Sequence, residues 1–364
     1  MDVSTTTSIL RSWKHFASVR WRPILDALWY GRYLPWSLRW RLLAFQPLHS
    51  IGSLVFFSYI FHRPFEVDYI PVGPDRELRV LVFNRRRNAS DDKRDDDAGR
   101  PRPLHVDAHA GGFMAGYPEA DVQWCELVAQ RTGAVVVSVS YRLAPVHPFP
   151  AAIDDVDAII TWLQQNAAER YGADPNLMTT SGFSAGGNLM LACTQSPACH
   201  APAPTAIKGY VGFYPVLDLI KAPWEKPRSK DLPSYDPLSF LEKLYDSYAA
   251  PTKTTSRDNA RLNPGLAPLE TLPKKMLIFM PRIDILPAEI MKFQERIERE
   301  AKERGEAGRV LDVLDVKDAF HGYLEVPNIV VPWHKKMEVF DKGINLLQDV
   351  HAEHGWKWTR SGGG

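Results

Sequence analysis

The chain has 364 residues, 45% hydrophobic and 24% charged. That is the mix of a folded globular protein, and it excludes a disordered, collagen-like or polytopic membrane chain. Lys+Arg (44) nearly balances Asp+Glu (43), which leaves no global basic field to hold nucleic acid.

The first 41 residues carry seven Lys/Arg against Asp2 and Asp26, interleaved with Trp13, Trp21, Trp29, Trp36 and Trp40. No Asp, Glu, Lys or Arg occurs from Leu42 to His62, yet Gln46, Pro47, His49, Ser50, Gly52 and Ser53 make it a poor membrane span. No apolar h-region follows the start, so a secretory signal peptide is not expected. Residues 1–64 are read as a helical lid, amphipathic helices that pack on the rest of the protein. The alternative is a basic, aromatic segment on a membrane surface or acting as a signal anchor. Three cysteines, an odd number, argue for a reducing, cytoplasmic compartment, with Cys193 and Cys199 as free thiols.

From Phe65 the pattern changes. Phe65–Ile70 and Leu78–Phe83 alternate like strands, with Gly73-Pro74-Asp75 as their turn. Residues 85–103 form a mixed-charge run ending in Gly and Pro, read as a solvated loop. Strand and helix patterns then take turns. Strands are expected at Leu104–Ala108, Ala134–Tyr141, Leu177–Thr180, Ile207–Tyr214, Met276–Met280 and Val310–Val316. Helices are expected over Ala120–Arg131, Ala151–Tyr171, from Ala185, and over 287–306 and 332–350. This rhythm predicts an α/β fold with a mainly parallel sheet covered on both faces. Residues 219–272, rich in Pro, Ser and Asp, interrupt it and are read as a lid insertion between core segments 65–218 and 273–364.

The strongest local signal is Gly182-Phe183-Ser184-Ala185-Gly186-Gly187, a G-x-S-x-G pattern between an apolar strand and the helical run NLMLAC. A serine on a sharp strand-to-helix turn needs small neighbours, and the N–H of Ala185 then points to where a carbonyl oxygen would gain charge. Read blandly, the same residues make a small-residue turn packing a helix on a strand. Upstream lies His109-Ala110-Gly111-Gly112-Phe113, placed after a strand as an oxyanion loop should be.

HAGGF, then YRLAPVHPFPAAIDD (Tyr141 to Asp155), then GFSAGGNL, in this order, resemble the hormone-sensitive-lipase-like branch of the α/β-hydrolases, which includes the arylacetamide-deacetylase-like esterases. The resemblance covers roughly residues 66–350 and implies an α/β-hydrolase fold. It implies Ser184 as nucleophile and Gly111, Gly112 and Ala185 as oxyanion donors, with His109 supporting the motif. The chain departs from the family pattern at Ala110 (usually Gly), Phe183 (usually Asp) and Val146 (usually acidic).

The fold needs its acid and base in the order Ser, Asp/Glu, His. Asp284 follows the strand Met276–Met280 in a D-x-L setting, with Glu289 as local competitor and a helix-capping role as the bland alternative. His321, in Asp318-Ala319-Phe320-His321-Gly322-Tyr323, follows the last strand and matches the family's H-G-F-type loop. No H-E-x-x-H, Cys-x-x-Cys pair or Walker loop occurs, and Asp91–Asp97 lacks the alternation of a calcium loop. No metal and no cofactor is assigned.

These residues predict a serine-dependent carboxylic-ester hydrolase for a small to medium apolar substrate. The same triad could act on a thioester or lactone, releasing or cyclising a product in a secondary-metabolite pathway. A non-catalytic small-molecule receptor on this fold is the alternative from another class, against which the intact Ser184, Asp284 and His321 speak. No nucleic-acid partner is expected, peripheral membrane contact could come through the N-terminal segment, and no interface patch or heptad fixes an oligomeric state.

Overall fold

The computed structural model describes residues 24–25, 27–54, 59, 63–84, 100–233, 239–306 and 308–358. Trp13, Trp21, the run Asp91–Asp97 and most of the mixed-charge segment lie outside them. Eight strands form one sheet: β1 (Glu66–Gly73), β2 (Arg76–Phe83), β3 (Arg102–Ala108), β4 (Val135–Val139), β5 (Ala173–Phe183), β6 (Gly209–Phe213), β7 (Lys275–Ile283) and β8 (Val310–Phe320). Their order is β1-β2-β4-β3-β5-β6-β7-β8. β2 runs antiparallel to both its neighbours, β1 and β4; β4, β3, β5, β6, β7 and β8 are mutually parallel. The Gly73-Pro74-Asp75 turn joins β1 to β2 as expected.

The helices are α1 (Trp36–Leu54), α2 (Val122–Thr132), α3 (Ala151–Tyr171), α4 (Ala185–Ala192), α5 (Glu242–Asp246), α6 (Pro287–Glu303) and α7 (Trp333–Glu353). Strand alternation sorts side chains to the two faces. In β4, Val135, Val137 and Val139 join Ile153 and Leu163 of α3 and Ile290 and Phe293 of α6. Val136 turns to the other face, with Trp124 of α2 and Phe340 and Ile344 of α7. Burying a large apolar side chain of this kind contributes about 1.5–3 kcal/mol, so both helical layers are held to the sheet by several such terms. The second face also buries a polar chain: His105 lies 2.9 Å from both Thr179 Oγ1 and Ser181 Oγ, and Ser181 donates to Asp107 at 2.6 Å.

A third, smaller cluster lies above the strand ends. Leu42 of α1 packs with Met114, Leu241 and Leu244, so this helix meets the 219–272 segment. Arg41 Nε donates to Phe240 O at 2.9 Å across the same contact. No helix among the described residues is long and apolar enough to cross a membrane.

Several boundaries differ from expectation. β5 starts at Ala173 rather than Leu177, because Arg102 and Pro103 pair with Ala173 and Asp174 before the register shifts and Leu104 meets Met178. Asn176 N–H donates to Asp174 Oδ1 at 2.9 Å within this extension. β3 starts at Arg102, within the segment read as a loop. β7 and β8 run on to Ile283 and Phe320, which pair with each other.

Candidate active site

The site lies beyond the C-terminal ends of β3, β5, β6, β7 and β8. The Ile283–Phe320 pairing explains its central contact, because the next residue on each strand is Asp284 or His321. Asp284 Oδ2 accepts from His321 Nδ1 at 2.7 Å. That leaves the other ring nitrogen, Nε2, as the acceptor, 2.8 Å from Ser184 Oγ. Asp284 is buried, and its second oxygen accepts the Ile285 N–H at 2.6 Å. It does not cap a helix: α6 begins at Pro287 with Leu286 at its N-cap.

Burial works against the charged form of His321. The Asp284 carboxylate, its hydrogen bond and the nearby Glu325 outweigh that and hold the imidazole above its ordinary value, while Lys226 opposes them.

Ser184 occupies the turn between β5 and α4 with φ 51° and ψ −112°, a conformation side chains rarely adopt. The turn is pinned by Ser184 N–H to Phe213 O (2.8 Å) and by Asn188 N–H to Ser184 O (3.1 Å). Its glycines are required by proximity. A Cβ on Gly186 would stand 1.9 Å from Ala108 O at the end of β3, and one on Gly182 would stand 2.4 Å from the Gly186 carbonyl carbon. The first N–H groups of α4, that of Ala185 among them, have no acceptor within the helix.

The His109–Phe113 loop leaves β3 with positive φ at Gly111 (134°), Gly112 (60°) and Phe113 (61°). Gly112 lies under the ring of Tyr245, where a Cβ would come within 2.4 Å of it. His109 is buried behind the loop. Its ring stacks on Tyr141 at 4.3 Å, and its Nδ1 lies 2.7 Å from Ala110 O, which can only accept. Burial pushes its pKa down to about 4, so it stays neutral.

A cavity of about 530 Å³ brings Gly111, Gly112, Ser184, Asp284 and His321 together. Its walls are mainly apolar, with Phe45, Met114, Val216, Leu219 and Leu232 among them. Ala185 and His109 are not in its lining; both are buried beside it. Phe45 comes from α1, while Leu232 and Tyr245 come from the 219–272 segment.

Glu289, the competing acid, is committed elsewhere. Its Oε2 accepts from Lys226 Nζ at 2.7 Å, and its Oε1 accepts from the Leu217 N–H at 2.8 Å. Phe183 is buried and stacked on Phe213, with centroids 4.2 Å apart. Cys125, Cys193 and Cys199 are free and buried. Sequence reasoning missed Lys226, Tyr245 and Glu325.

A profile for the α/β-hydrolase fold matches residues 105–325, more than half of the chain. The chain belongs to the α/β-hydrolase family. It is 34% identical over 176 residues to rabbit (Oryctolagus cuniculus) arylacetamide deacetylase, covering 45% of this chain and 41% of that protein. It is 34% identical over 130 residues to the versiconal hemiacetal acetate esterase of Dothistroma septosporum, covering 36% and 39%. The chain thus spans about two fifths of the length of these curated relatives. A Pyrobaculum calidifontis esterase has the same fold, with TM-score 0.66 and 22% identity over 84% of this chain and 92% of that one.

Proposed function

We propose that this α/β-hydrolase is a serine hydrolase that cleaves carboxylic esters of small to medium apolar substrates. The observation that carries the reading is the relay Ser184 Oγ–His321 Nε2 (2.8 Å) and His321 Nδ1–Asp284 Oδ2 (2.7 Å), opening into one cavity. In this reading His321 takes the Ser184 proton as Oγ bonds to the ester carbonyl carbon, then returns it to the departing alkoxide. Water releases the acyl group by the same exchange. The N–H groups of Gly111, Gly112 and Ala185 hold the oxyanion, and Asp284 fixes the imidazole tautomer. A cavity of about 530 Å³ suits a small organic ester, and its apolar walls select for hydrocarbon. Residues of α1 and of 219–272 act as its lid.

Ser184→Ala should abolish turnover of short p-nitrophenyl esters and labelling by a fluorophosphonate probe. Wild-type turnover in that variant would overturn the assignment. A labelled Ser184 with poor activity on generic esters would direct the search to thioesters and lactones. An unlabelled wild type would favour a receptor.

The N-terminal aromatic residues support a second element of the proposal, contact with a membrane surface. Trp29, Tyr33 and Trp36 are 62%, 74% and 71% exposed, and the Arg32 guanidinium lies 4.1 Å from the Trp29 ring centre. Exposed indoles and phenols among arginines suit an anionic lipid interface.

A further inference from the structure

Glu325 brings a second carboxylate to the site, one that the relay does not use. It follows His321 by four residues, in a turn closed by Glu325 N–H to Gly322 O at 3.2 Å. Its Oε2 accepts from Tyr214 Oη at 2.5 Å, and the Tyr214 ring lies 5.1 Å from the His321 ring. Its Oε1 is buried without a hydrogen-bond partner among the described residues. Glu325 and His321 line the same cavity. On the other side of Tyr214, Phe183 packs 6.2 Å from its ring and brings no charge. Glu325 thus brings an acidic group to the catalytic region from the loop after β8.

We propose that Glu325, held by Tyr214, is a positioning residue that stabilises the imidazolium formed on His321 when Ser184 gives up its proton. Glu325 exchanges no proton. It can act this way only if the serine-hydrolase reading holds. The other groups facing His321 are Asp284 from the β7 end, Ser184 and Tyr214 from the β5 and β6 ends, and Lys226 from the lid segment. Those facing Glu325 are Tyr214, His321 and Lys336 of α7, with Asp121 and Tyr323 near enough to feel its charge. Burial raises the Glu325 carboxyl above its ordinary value, and Tyr214, His321 and Lys336 counter that rise.

The test is the pH dependence of fluorophosphonate reaction with the full-length chain, which needs no knowledge of the substrate. His321 must be neutral to accept a proton, and the Asp284 carboxylate beside it holds it above its ordinary value, so the wild-type acid limb should lie above that of a free imidazole. Removing a negative charge disfavours imidazolium. Glu325→Gln should therefore move the limb down by on the order of one pH unit. It should also lower the plateau rate about tenfold. Glu325→Asp should restore part of both, and Tyr214→Phe should shift the limb in the same direction. Tyr214→Phe carries the test if Glu325→Gln does not fold. An unmoved limb, whether or not the plateau falls, overturns the proposal, since a purely structural role would lower the rate alone. An unreactive wild type would instead sink the serine-hydrolase reading.

Discussion

At the residue scale the site is a matter of which nitrogen carries the proton. The Asp284 carboxylate accepts from His321 Nδ1, so Nε2 is the acceptor facing Ser184. Asparagine at 284 can present its amide to Nδ1, which turns the tautomer the wrong way round and removes the charge that balances imidazolium. Asp284→Asn should keep the fold, because the change is isosteric and the Ile285 N–H keeps an oxygen to bond. Ester turnover should fall by about 10³–10⁴-fold near neutral pH. A loss under tenfold would mean that another acid orients His321. Glu289 is not placed to do so, being held by Lys226 and the Leu217 amide.

At the scale of elements, Lys226 and Glu289 tie the 219–272 segment to the start of α6. The two are nearly buried, and their 2.7 Å contact fixes one wall of the cavity. Breaking a buried pair by removing one partner leaves an uncompensated charge and commonly costs 3–5 kcal/mol. Glu289 keeps an amide bond and can take up a proton, so the loss here should be about 2–3 kcal/mol. Lys226→Met should therefore lower Tm by several degrees and raise KM more than it lowers kcat. Lys226 also disfavours His321 protonation. Its removal should push the acid limb up, opposite to the effect of Glu325→Gln. A Tm and a limb both unchanged would show that the pair does not hold the wall.

These ties also show what a sequence can and cannot display. G-x-S-x-G, the double glycine after β3 and the order of Asp284 and His321 are local signals, because each answers a local backbone or spacing need. The parallel sheet was legible from alternating strand and helix patterns. The ends of β7 and β8 were not: the expected strands stop at Met280 and Val316, yet cross-strand pairing carries both to Ile283 and Phe320. That extension is what sets Asp284 beside His321. Lys226, Tyr245 and Glu325 carry no local signature, since their partners lie 63 residues away for Lys226 and 111 for Glu325. Mixed charge at 85–103 hid the start of β3 for the same reason: Arg102 pairs with Ala173.

At the scale of the whole molecule, α1 connects the cavity to the outer surface. Leu42 packs against the 219–272 segment and Phe45 lines the cavity, while Trp36 at the start of the helix is 71% exposed. A membrane that took up Trp29, Tyr33 and Trp36 would touch a helix that forms the cavity wall, and an apolar ester could pass from lipid to Ser184 along it. Each arginine near an anionic surface contributes about 1 kcal/mol, and the aromatic rings add interfacial anchoring. Binding to phosphatidylcholine/phosphatidylserine vesicles should therefore be salt-sensitive. It should fall at least about tenfold in the triple variant W29A/Y33A/W36A, as summed anchoring terms of more than 1.4 kcal/mol require. Turnover of a water-soluble ester should stay within about twofold of wild type, because these side chains are exposed and none of them lines the cavity. Vesicle binding equal to wild type in the triple variant would remove the membrane reading. Binding and turnover lost together would make the aromatic residues part of the lid's own support.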